Sequence, residues 1–147
     1  MTAIISPYHK PPDPPAHLLA QPHLDSELLD IMVDCYRSSK MLAKMLFPER
    51  FYREFDPGYD DLFALLDDDS IQRACVEAFR GCGKTSFVNL VIPAKGILFE
   101  DRHFIVPIGC TSDLAVLQTE NLKSALQTSE MVKKLFGPMK SGNWAKE

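Results

Sequence analysis

The run Ala78-Phe79-Arg80-Gly81-Cys82-Gly83-Lys84-Thr85-Ser86 holds the residue types and spacing that could do chemistry. It follows the phosphate-loop pattern G-x-x-x-x-G-K-[ST] except at the first position, where Ala78 stands for glycine. Gly81 and Gly83 admit backbone conformations closed to other residues, so successive N–H groups can converge on phosphate oxygens. Lys84 can reach the β- and γ-phosphates, and the Thr85 hydroxyl can ligate Mg²⁺. A helix starting here would add its partial positive charge and free N–H groups. A surface turn that happens to contain Gly-Cys-Gly-Lys-Thr is the alternative.

Such a loop needs a strand before it and a helix after it. Arg73 to Phe79 is a short apolar-rich run suited to a buried strand. Phe87, Leu90, Val91, Ala94, Ile97 and Leu98 recur at helical spacing, with a kink or irregular turn expected at Pro93. His103 to Cys110 reads as a second buried strand, with Pro107 disrupting its ladder or placing it at an edge. A strand-helix-strand unit favours a parallel pair with a right-handed crossover. The expected fold class is therefore α/β: a P-loop NTPase-like parallel sheet with flanking helices, incomplete because no third strand is visible, preceded by an N-terminal helical segment.

The rest of the chain divides around this unit. Residues 1–22 are proline-rich and predict a flexible arm, either a docking arm or a disordered end. His9, His17 and His23, on or beside it, lack ligand-like partners. Residues 23–70 predict helices, and 71–147 the first part of a P-loop ATPase domain. Asp25 should cap a helix running to about Leu46, with Leu28, Met32, Cys35, Leu42 and Leu46 on one side. Arg50, Phe51, Tyr52, Arg53 and Phe55 form either an aromatic plug under a bend or an adenine-stacking or partner surface. Tyr59 to Leu66 predicts a short helix, and Asp67-Asp68-Asp69 a solvated acidic loop, with a metal site as the weaker alternative. Ser112 should cap a helix to about Gln127 with Leu114, Leu117, Leu122, Ala125 and Leu126 mostly inward. A second piece follows from Thr128-Ser129 until Gly137-Pro138.

Composition narrows the function classes. The chain has 147 residues, 46% hydrophobic and 24% charged, with a net charge of −4, so no overall basic field holds nucleic acid. Cys35, Cys75, Cys82 and Cys110 lack C-x-x-C spacing, which favours free thiols over zinc or disulfides. Cys82 is read as a loop residue, not a nucleophile. No apolar run suffices to cross a membrane and no signal-peptide order is present, so a soluble, intracellular protein is expected.

The order of residues also resembles a family. Leu46-Phe47-Pro48-Glu49-Arg50-Phe51, then Asp61-Leu62-Phe63, then the loop 78–85, is similar to the large terminase subunits of tailed bacteriophages, the ATPases that drive DNA into capsids. Ile105 to Ala115, Asn121 to Leu126, Leu135-Phe136-Gly137 and Trp144 continue the likeness, which covers roughly residues 45–145. The resemblance implies that ATP and Mg²⁺ are held by Lys84 and Thr85, and that Arg80 senses the γ-phosphate or stabilises its charge. Simple pairing of Arg80 with a carboxylate is the alternative. It also implies the small terminase subunit, the portal and double-stranded DNA as partners, a ring of the complete protein, and the host cytoplasm as location. Adenine and guanine are not separated by any residue here. No apolar strand ending in paired acids follows Lys84, so isolated turnover should be very slow and the chain is expected to be one piece of a larger or split enzyme. A partner-binding fragment with a vestigial loop is the competing function. A small nucleotide kinase would need a lid and substrate pocket, for which too little chain follows.

Overall fold

The structure, a computed structural model, describes residues 14–71, 73–77 and 79–139. Helix accounts for 59% of these, and among them there is no strand. The elements are α1 (Ala16–Leu19), α2 (Ser26–Arg37), α3 (Ser39–Leu46), a 3₁₀ turn (Pro57–Tyr59) and α4 (Asp60–Leu66). A continuous helical run 84–98 follows, made of α5 (Lys84–Ser86), a π-helical turn (Phe87–Val91) and α6 (Ile92–Leu98). Then come α7 (Ser112–Thr128) and α8 (Glu130–Phe136).

The parallel sheet expected from the sequence is thus corrected to a helix-on-helix arrangement. Residues 73–77 and 104–109 have the apolar content of buried strands, but no backbone hydrogen bond joins them among the described residues. Most of their side chains face water: Phe104 is 86% exposed, Val106 59% and Ile108 92%, with Val76 and Ile105 half-buried. A parallel pair is stable when helices cover both its faces. Here α2, α3, α4, α6 and α8 bury apolar side chains against one another instead of against a sheet, and Pro107 withholds one donor. The strand-helix-strand crossover falls with the strands.

The core is centred on α3, which packs against α2, α4, α6, α8 and the π-helical turn. Met32, Cys35, Leu42, Leu46, Val91, Leu126, Val132 and Leu135 are almost wholly removed from water, and Phe99 meets the Tyr36 and Phe136 rings edge-on. Burial of each such side chain contributes on the order of 1.5–3 kcal/mol.

Several local features depart from the periodicity. The single helix expected over 25–46 is broken at Ser38, which is extended and caps α3 by accepting from Met41 N–H. Asp25 does cap α2, accepting from Leu28 N–H at 2.8 Å. Of the expected arm 1–22, residues 1–13 lie outside the described residues. Residues 16–19 form a helical turn, started after Pro15, that seats Leu18 in the core. Ahead of Pro93 the bonding pattern widens to the π-helical turn, which accommodates a residue without an N–H. Thr111, not Ser112, caps α7, and Leu114 and Leu117 are exposed where an inward face was expected.

The acidic loop is only partly solvated. Asp67 turns inward: its carboxylate accepts from Ser39 N–H at 3.0 Å and from the Ser39 hydroxyl at 2.5 Å, and pairs with Lys95 at 2.8 Å. This clamp ties α4 and α6 to the start of α3. Asp101 is raised above the ordinary carboxylate range by burial and then by Asp69, and burial followed by Asp101 and Asp69 raises the Tyr36 phenol.

Candidate phosphate-binding loop

The loop is built by two glycines in the left-handed region. Gly81 has φ 93° and Gly83 φ 77°, conformations in which a side chain would be strained. Gly83 forms the N-cap of the run 84–98, and its carbonyl accepts from Ser86 N–H at 2.9 Å and Phe87 N–H at 3.2 Å. The N–H groups of Lys84 and Thr85 therefore precede the ladder, with no carbonyl of their own helix to meet. Donors so placed at a helix start suit an anion.

The loop is anchored from below. Phe87, one turn into the run, is buried among Phe51, Phe55, Tyr59 and Phe63 with ring centroids 5.4–5.8 Å away. The Tyr59 hydroxyl donates to the Cys82 carbonyl at 2.8 Å, and Cys82 itself is buried. Lys84 bends back over the loop, its Nζ donating to the Phe79 carbonyl at 2.8 Å and standing 3.7 Å from Cys82 Sγ. Thr85 is exposed and Ser86 half-buried on the first helical turn.

Of the residues singled out by sequence, the structure therefore brings Gly81, Cys82, Gly83, Lys84, Thr85 and Ser86 onto one loop and helix start. Phe79 contributes its carbonyl while its ring points to solvent, and Ala78 lies outside the described residues. Arg80 is exposed in the turn, and among the described residues no carboxylate pairs with it. Among the described residues no strand precedes the loop, which is held by the aromatic cluster and the Tyr59 hydrogen bond.

Clefts adjoin the loop. One of ≈ 410 Å³ joins the Gly81–Gly83 backbone to Arg50, Tyr52 and Arg53. The aromatic-basic stretch is thereby divided: Phe51 and Phe55 plug the core, while Tyr52 is 71% exposed with the Arg53 guanidinium 5.4 Å from its ring centroid. A smaller cleft of ≈ 230 Å³ sets Thr85 and Ser86 beside Arg50, Asn89, Gln118 and Asn121. Arg50 and the amides of Asn89, Gln118 and Asn121 thus stand beside the helix start, a setting that suits an anionic ligand with polar edges, while Glu54 and Asp56 also line the larger cleft.

Sequence reasoning missed Tyr59 as the loop's anchor, and Asn89, Gln118 and Asn121 as its neighbours. Gln118 and Asn121 share a face of α7 at i, i+3 spacing, which a search for polar pairs on that helix would have found. No group of His, Cys, Asp or Glu able to hold a metal ion by itself occurs among the described residues, and no helix there is long and apolar enough to cross a membrane. Comparison with family models, with curated proteins and with solved structures finds no match to this chain.

Proposed function

We propose that the chain binds the triphosphate of ATP, with Mg²⁺, on the loop 79–86, as the nucleotide-binding part of a phage terminase large subunit, the motor that moves viral DNA into the capsid. The observation that supports nucleotide binding is the pair of positive-φ glycines set directly ahead of a helix whose first residue is Lys84. The terminase part of the reading rests on the resemblance in residue order. The exposed Thr85 hydroxyl fits a cation that takes one protein oxygen and fills its remaining positions from phosphate and water. Lys84 would exchange the Phe79 carbonyl for phosphate oxygens, and Arg80 would stabilise charge on the terminal phosphate. Small terminase, portal and double-stranded DNA are the partners under this reading.

The test is titration of Mg²⁺-ATP against the purified chain, wild type beside Lys84→Ala. Saturable binding that weakens at least about tenfold in the variant is expected, the loss of a charge-assisted contact. Equal binding, or none in either, overturns the proposal. A second reading, capture of a small terminase or capsid partner without nucleotide, is favoured by the exposure of Phe104, Val106 and Ile108. It predicts that Lys84→Ala leaves capture intact.

A further inference from the structure

Resting on the nucleotide reading of the loop, we infer that the small cleft between the helix start and α7 receives the terminal phosphate, with Arg50, Gln118 and Asn121 telling a triphosphate from a diphosphate. The cleft, of ≈ 230 Å³, is lined by Thr85, Ser86 and Asn89 from the run 84–98, by Gln118 and Asn121 from α7, and by Arg50. Buried Leu90 and partly buried Leu122 complete the lining where α7 packs on the π-helical turn, which sets the Gln118–Asn121 face beside the helix start. Arg50 is brought there by its neighbour. Phe51 stacks on Phe87 with ring centroids 5.4 Å apart, so the residues just ahead of the two rings, Arg50 and Ser86, line one cleft.

The chemistry of this lining is one-sided. Its polar groups are one guanidinium, three amides and two hydroxyls, every one able to donate a hydrogen bond. None of the described lining residues is a carboxylate, in contrast to the larger cleft with Glu54 and Asp56. Donors around one fixed cation favour a tetrahedral oxyanion over a cation or an apolar group. Asn89, Gln118 and Asn121 are half-buried, and among the described residues no side-chain hydrogen bond or ion pair engages them or Arg50. Such donors gain from a ligand that replaces the water they have lost. Thr85, whose hydroxyl is the candidate Mg²⁺ ligand, lines this cleft, and the metal bridges the last two phosphates of a triphosphate. The terminal phosphate therefore belongs on the Thr85 side of the loop. Arg80 does not line this cleft, and Lys84 lines a different one with Tyr59 and Leu62, so the cation available here is Arg50. A diphosphate leaves the cleft unused.

The test is calorimetric titration of the full chain with Mg²⁺-ATP and with Mg²⁺-ADP. Arg50→Ala should weaken ATP binding about tenfold and leave ADP within about twofold. Arg50 is exposed, so the variant should keep the fold, which far-UV circular dichroism checks. Arg50→Lys should recover only part of the loss, because an ammonium keeps the charge and not the fork. Gln118→Ala combined with Asn121→Ala should lower the ATP-to-ADP preference about fivefold. Lys84→Ala, by contrast, should weaken both nucleotides. No ATP binding by the wild type, or binding indifferent to Lys84→Ala, overturns the nucleotide reading and this inference with it. ATP binding that needs Lys84 but keeps its ATP-to-ADP ratio in Arg50→Ala overturns the inference alone, as does an equal loss for both nucleotides. Inorganic phosphate titrated by itself separates the remaining source. Saturable phosphate binding that Arg50→Ala abolishes, with ATP affinity unchanged, would assign the cleft to free phosphate and overturn the inference.

Discussion

The Tyr59 hydroxyl and the Cys82 carbonyl meet at 2.8 Å across 23 positions of sequence, so the glycine loop is hung from the aromatic cluster under the N-terminal helices. A single hydrogen bond of this kind contributes about 1 kcal/mol. Tyr59→Phe keeps the ring among Phe55 and Phe87 and removes only the donor. Mg²⁺-ATP binding should weaken by up to about fivefold in calorimetric titration, and the melting temperature should fall by roughly 2–4 °C. Undiminished affinity would mean that the loop holds its shape without this anchor.

Asp67 supports a different joint. Its carboxylate caps the start of α3 through Ser39 and pairs with Lys95, both charged groups being 18% exposed. Asp67→Ala leaves Lys95 without that partner and the Ser39 N–H uncapped, and should cost about 2 kcal/mol in urea unfolding. Lys95→Met should cost less, because a flexible apolar side chain replaces the charge while the Ser39 contacts persist. The double variant should fall short of the sum, since the two groups share one interaction.

These contacts explain which parts of the molecule were legible in the sequence. Met32, Cys35, Leu42 and Leu46 announce a buried helical face through local spacing alone, and Asp25 announces its start. The break at Ser38 was not legible, because Asp67 reinforces it from 28 positions away. Positive φ at Gly81 and Gly83 follows from residue type and motif. The runs 73–79 and 103–110 misled for the converse reason. Their apolar content matches that of buried strands, yet a strand exists only through a neighbour, and periodicity says nothing about whether one is there. Tyr59 escaped notice because an aromatic beside a turn carries no signal of which carbonyl its hydroxyl will find.

Burial gives Cys35 a pH signature. Its thiol is pushed from 9.0 to about 12, by burial first and then by the Asp34 charge, with Lys95 opposing. The folded state thus keeps its proton where the unfolded chain releases it. Stability from this group is fully present below pH 9 and is lost as pH rises toward 12, by up to about 1.4 kcal/mol per pH unit. Urea midpoints measured from pH 8 to 11 should fall more steeply for wild type than for Cys35→Ala. Iodoacetamide at pH 8 should label Cys75 and Cys110, which are exposed, and spare Cys35. Parallel pH profiles for the two proteins would show that the thiol does not stay protonated in the fold.

Glu100 closes the helical run with a strained backbone. Its φ of 58° makes it the non-glycine residue in the left-handed region among the described residues, directly after the fully buried Phe99. The chain reverses here through Phe99 N–H to the Lys95 carbonyl at 3.1 Å, Glu100 N–H to the Ile97 carbonyl at 3.3 Å and Arg102 N–H to the Gly96 carbonyl at 3.2 Å. A left-handed conformation costs a side-chain-bearing residue roughly 1–2 kcal/mol, and glycine adopts it without that penalty. Against this stand the larger backbone entropy that glycine loses on folding and the contact of Glu100 with His17 at 3.3 Å, both partners of which are more than half exposed. The strain term is the larger, so Glu100→Gly should stabilise the fold by about 0.5 kcal/mol. Glu100→Ala keeps the strain and loses only the His17 contact, and should leave the urea midpoint nearly unchanged. If both variants shift the midpoint alike, the effect belongs to the lost carboxylate and not to the backbone.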